Sequence, residues 1–156
     1  MATFANLLNG GIRFGKNVKT SVATVKPGML VAQDSSGSNS SGSIAVSLAG
    51  TTGDVMGIAY GGRYQTYRPT SQTFAAGEPL TVIQGSGLFL LSADLFTGGS
   101  FPAALPASLY AGASGLWSSA GTNKVGKALE ILPARAQTAG VSTEQPVCLV
   151  QFNIQP

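Results

Sequence analysis

Pro79-Leu80-Thr81-Val82-Ile83-Gln84-Gly85-Ser86-Gly87-Leu88-Phe89-Leu90-Leu91 is the stretch that decides the fold class. Two runs rich in β-branched and large apolar residues flank Gly85-Ser86, a pair suited to a tight reversal, so the segment reads as a β-hairpin. Its second arm, Leu88 to Leu91, is apolar at successive positions. A short strand of that kind is covered on both faces, in a core or beneath a neighbouring subunit. The same texture continues outward. Short apolar runs recur roughly every ten residues between turn residues, and the 21 Gly and 8 Pro are spread along the chain, leaving no room for long helices. The expectation is an all-β domain of about eight to ten short strands, a small β-sandwich or a β-barrel-like fold.

Upstream, Thr20 to Val25 alternates as a strand with Val22 and Val25 inward. Lys26-Pro27-Gly28 then turns the chain into Met29 to Gln33, with Pro and Gly at the central positions of a type II turn. Ser35 to Ser43 has no side chain able to anchor it and reads as an exposed loop. In Ser43 to Leu48, Ile44, Val46 and Leu48 fall on one face of a half-buried strand. Asp54 to Tyr60 is a strand with Gly57 at its centre. Downstream, Gly98-Gly99, Pro102 and Pro106 break the pattern between Ala93 and Ala107, leaving a long loop with one helical turn around Asp94. Lys124 to Leu132 and Pro146 to Ile154 close the core. Residues 1–19 stand apart as an extended N-terminal arm, and residues 20–156 form one β-rich domain.

The chain holds 9 basic and 6 acidic residues, and charged residues make up 10% of it, well below the roughly 25% of an average soluble protein. A surface so poor in charge points to burial of much of it in an assembly. Arg13, Lys16, Lys19 and Lys26 all precede Asp34, the first acid. The first 33 residues therefore carry four positive charges, while the remaining five basic and six acidic groups sum to −1. A basic arm ahead of a near-neutral body suits phosphates or an acidic protein surface.

Catalytic groups are sparse. Histidine is absent, and Asp34, Asp54, Glu78, Asp94, Glu130 and Glu144 are isolated from one another in sequence. This excludes Ser-His-Asp and Cys-His machinery and leaves no recognisable carboxylate pair. No metal-ligand spacing or phosphate-binding glycine loop occurs. The chain reads as a non-enzyme without metal or cofactor. Cys148, the single cysteine, lies in the apolar run Val147 to Val150 and reads as a buried small hydrophobe. With no apolar run long enough for a membrane helix and no signal-peptide pattern, synthesis and folding are expected in a reducing cytoplasm, with no membrane partner.

Two segments carry interface character. Tyr60, Arg63, Tyr64, Tyr67 and Arg68 crowd into nine residues. Tyr and Arg dominate protein-interface hot spots; an ordinary loop whose aromatics fold back on the core is the competing reading. Two arginines make a poor phosphate track, so nucleic acid is not expected. In the arm, Phe4, Leu7, Leu8, Ile12 and Phe14 alternate with glycine and with Arg13, and Lys16 and Lys19 follow. Such a segment adds a strand to a partner's sheet edge or packs on its own body.

The order of Lys26-Pro27-Gly28-Met29-Leu30-Val31, Val55-Met56-Gly57-Ile58-Ala59, Gly77 to Gly85, Leu109-Tyr110 and Val125-Gly126-Lys127-Ala128-Leu129 resembles the head decoration, or capsid cement, proteins of tailed bacteriophages. The resemblance implies a β-tulip-like fold and homotrimers seated on the major capsid protein at local three-fold axes. It places the chain on the outer capsid surface of a virion, reinforcing the shell. The longer arm departs from the compact members of that family and leaves open whether it grips the shell or belongs to a fibre base. A head-fibre or tail component is the structural alternative. A carbohydrate-binding β-sandwich module is the other, with Trp117, Tyr64 and Tyr67 as its only candidate aromatic platform.

Overall fold

The computed structural model describes residues 5–14, 18–22, 24–34, 43–61, 73–134, 137–138, 141–142 and 145–155. Ten strands join in one sheet: β1 (Ala5–Phe14), β2 (Val18–Thr20), β3 (Leu30–Gln33), β4 (Ile44–Leu48), β5 (Gly57–Tyr60), β6 (Thr81–Ser92), β7 (Ala107–Ala111), β8 (Trp117–Ser118), β9 (Lys124–Leu132) and β12 (Val147–Ile154). A separate small ribbon pairs β10 (Gln137–Thr138) with β11 (Val141–Ser142). The protein is all-β, with no helix longer than a three-residue 3-10 turn among the described residues.

The segment expected to be a hairpin is one continuous strand, β6. Gly85 sits at φ +79°, so the chain swivels there without reversing. The reason is long-range pairing. Leu91 opposes Ala5 and Val82 opposes Phe14, so β1 covers one edge of β6 along nearly its whole length. On the other edge, Thr81 to Ile83 pair with β5, and Gly85 to Ser92 pair with β12. Local turn propensity at Gly85-Ser86 yields to these two ladders.

That change of partner divides the sheet. One half runs β2-β4-β3-β5 onto the front of β6, and the other runs β8-β7-β9-β12 onto its back. The halves face each other across a shared core. Leu30, Ile58 and Ile83 from the first half meet Leu109, Trp117, Val125, Cys148, Val150 and Phe152 from the second. Tyr60, Phe89 and Phe152 form a row of edge-to-face rings, with centroids 5.4 and 6.0 Å apart, that joins β5, β6 and β12. The alternate residues of the first half, Val31, Val46, Ala59 and Val82, bury their side chains on its opposite face with Val25, Phe74 and Leu80. The first half is thus apolar on both faces, as its near-continuous Val/Ile/Ala strands require.

Several expectations hold in detail. The Met29 N–H donates to the Lys26 carbonyl at 3.2 Å, and Gly28 takes φ +91°, closing the Pro27-Gly28 turn. Ile44, Val46 and Leu48 pack into one cluster. Between Ala93 and Ala107 the irregular chain is pinned by Leu95 and Phe96, both buried.

Others need correction. Thr20 to Val25 is not a strand. The strand β2 stops at Thr20, where the Thr20 hydroxyl donates to the Val22 carbonyl at 2.6 Å and bends the chain, although Val25 does reach the interior. Gly57 opens its strand and is not at its centre. Residues 5–14 and 18–20 do not stand apart from the domain as an arm. They are strands of its sheet, and Leu7 packs against the shared core. Eight ladder pairs with β6 offset the entropy that a free arm would keep.

Candidate functional site

One end of the sandwich is closed and the other is open. At the closed end the Trp117 indole N–H donates to the Gly28 carbonyl at 2.9 Å, and the Gly115 N–H donates to the Ala49 carbonyl at 2.8 Å, tying the two halves together. At the open end β5 begins and β12 finishes against the middle of β6, and the halves diverge. The gap is a cleft of about 1080 Å³, slightly above the roughly 300–1,000 Å³ of typical ligand-binding clefts.

Five carboxamides line it: Gln33, Gln84, Asn123, Asn153 and Gln155. Val55, Met56, Val125 and Ile154 supply apolar surface, and Asp54 and Lys124 are the charged side chains among the described lining residues. Three of the amide groups are tethered by one end. The Gln84 Nε2 donates to the Met56 carbonyl at 2.9 Å, the Asn123 Nδ2 to the Gly53 carbonyl at 2.6 Å, and the Gln155 Nε2 to the Asn153 Oδ1 at 2.7 Å. Each bond fixes a rotamer and leaves further donor or acceptor capacity on the same group. The cleft can therefore hold a neutral polar ligand with little side-chain ordering left to do.

None of these five residues stands out in the sequence as a site, because they come from four separate segments. The one local signal is Gln151-x-Asn153-x-Gln155, an exposed polar alternation along the last strand.

The residues singled out in the sequence are dispersed. Tyr60 is buried in the core with 4% exposure. Its hydroxyl donates to the Asn6 Oδ1 at 2.9 Å and accepts the Leu7 N–H at 3.4 Å, so its ring does not serve as a surface contact. Arg63, Tyr64, Tyr67 and Arg68 lie outside the described residues, as do Phe4 and Lys16. The backbones of Arg13 and Phe14 complete β1. Leu7 and Leu8 are half-buried, Lys19 is exposed, and Ile12 is 61% exposed at the bulge of β1.

Trp117 is fully buried and cannot form a sugar-stacking platform. Cys148 is buried as expected, and burial pushes its thiol up to about 12. Three of the acids serve local structure. Asp34 accepts from the Ser21 hydroxyl at 2.6 Å, Glu78 accepts the Ala75 N–H at 2.7 Å, and Asp94 accepts from the Ser92 hydroxyl. Among the described residues no cluster of three His, Cys, Asp or Glu is placed to hold a metal, and no helix is long and apolar enough to cross a membrane.

Comparison with family models, with curated proteins and with solved structures finds no match in any of the three.

Proposed function

We propose that this chain is a structural virion protein that binds the outer surface of an assembled phage capsid and stabilises the shell, acting by contact and without catalysis. The observation that carries the proposal is the character of β1. It is an edge strand whose only strand partner among the described residues is β6, and it presents Ile12 to solvent at 61% exposure. It belongs to the stretch that holds four basic residues before the first acid. An exposed apolar anchor on a sheet edge, within a basic stretch of sequence and on a body poor in charge, suits attachment to an acidic or apolar protein surface. The interlocked double-faced sheet provides a rigid base for it.

The mechanism is linkage. A protein that binds the expanded shell and not its precursor stabilises the expanded state by its binding free energy, summed over the copies bound. Trimers on the major capsid protein would multiply that effect at each site.

Pelleting the purified protein with expanded and with unexpanded shells of a phage that encodes it tests the proposal. Saturable binding to expanded shells alone is expected. Equal binding to both forms, or to neither, rejects it.

A further inference from the structure

At the open end of the sandwich β3 outruns β5. The Ala49 N–H donates to the Leu30 carbonyl at 3.0 Å, and the Asp34 N–H donates to the Ala45 carbonyl at 2.9 Å. The main-chain groups of Leu30 and Asp34 therefore point toward β4, and by antiparallel alternation those of Val31 and Gln33 point the opposite way. On that side the Val31 carbonyl accepts the Met56 N–H at 2.8 Å. Gln33 has no counterpart, because the pairing of β3 with β5 ends with Val31 opposite Gly57. Among the described residues no strand pairs with its N–H and C=O, which leaves them as a strand edge at the cleft, and Gln33 is one of the cleft's lining residues.

The walls match that edge. Carboxamides anchored at Gln84, Asn123 and Gln155 offer the same donor and acceptor groups as a peptide bond. The described lining residues hold one acid and one base, which balance, and include no aromatic ring on which a sugar could stack. We infer that the cleft binds an extended, uncharged peptide segment of the partner protein, which adds to β3 at Gln33 as a short strand and is gripped by the surrounding carboxamides. This rests on the shell-binding proposal, and the occupant is a segment of the shell protein. The contact is separate from β1 and gives the protein a second grip.

The test compares wild type, Gln33→Pro, Asn153→Arg and Lys127→Ala in pelleting titrations with expanded shells. Proline at 33 deletes the N–H that faces the cleft and no ladder bond to β4. Arginine at the exposed position 153 brings bulk and charge to the mouth of the cleft. Lys127, exposed on β9 outside the cleft, is the control. Thermal melts of each variant establish folding, and should Gln33→Pro not fold, Asn153→Arg decides.

The expected result is binding at least about tenfold weaker for both cleft variants and unchanged for Lys127→Ala, the scale set by one lost and unreplaced hydrogen bond. Wild-type binding with folded cleft variants binding equally well overturns the cleft assignment and leaves shell binding standing. Failure of the wild type to pellet overturns both.

Discussion

Replacing Gly87 by alanine separates a continuous β6 from a hairpin by the sign of the stability change. In a hairpin, Gly87 would open the second arm, and alanine there would stabilise by roughly 0.5–1 kcal/mol through lower backbone entropy in the unfolded chain. In the structure Gly87 lies at the waist of the sheet. An added Cβ would stand 2.9 Å from the Gly10 Cα and 2.9 Å from the Phe152 Cζ, and would collide with the Asn9 carbonyl oxygen. Two of these three obstacles are backbone of β1, which cannot move without parting its ladder from β6. Overpacking of this kind costs about 1–3 kcal/mol, which outweighs the entropic gain and leaves a net loss of about 1–2 kcal/mol. For a chain of this size that lowers the melting temperature by roughly 2–8 °C, and it lowers the urea midpoint with little change in slope. Equilibrium urea unfolding followed by tryptophan fluorescence measures it. A midpoint unchanged or raised would refute the continuous strand.

Trp117→Phe removes the donor to the Gly28 carbonyl at the closed end and is expected to cost about 1–3 kcal/mol in urea unfolding, because a buried acceptor is left unpaired. Phe152→Ala should cost about 3–5 kcal/mol, since the ring is fully buried and stacks edge-on against Phe89. The Cys148 thiol is raised from 9.0 to about 12 by burial, so the folded state favours the protonated form. Its contribution to stability is complete below pH 9 and declines as pH rises from 9 toward 12, and Cys148→Ala should lose that portion of the pH dependence of unfolding. Native protein should also resist thiol reagents at pH 8 and react once unfolded. Ile12→Ser should leave stability within about 0.5 kcal/mol yet weaken pelleting with expanded shells.

The sequence made the fold class legible where the pattern was local. The alternation of Ile44, Val46 and Leu48, the Pro27-Gly28 turn and the two-sided burial around Phe89 all depend on neighbours within a few residues. What escaped depends on distant partners. Gly85-Ser86 satisfies the local chemistry of a turn, and only the ladders through Gly10 and Ile12 on one side and Asn153 and Ile154 on the other, far away in the chain, keep it extended. Tyr60 belongs to a Tyr/Arg-rich run that reads as surface, but its ring is claimed by Phe89 and its hydroxyl by Asn6. The apolar and basic residues before Thr20 gave no means of choosing between a partner's sheet and the chain's own, and for Ala5–Phe14 the choice fell on β6. The cleft was legible only as the polar alternation of Gln151, Asn153 and Gln155, because a glutamine or asparagine in or beside a strand is ordinary until the fork of the sheet brings five together.

The most direct measurement of shell stabilisation is calorimetry of purified expanded shells with increasing amounts of this protein. Linkage predicts a melting temperature for the shell that rises with added protein and levels off when the binding sites are full, with no shift for unexpanded shells. A shell melting temperature that stays constant at saturating protein would contradict it.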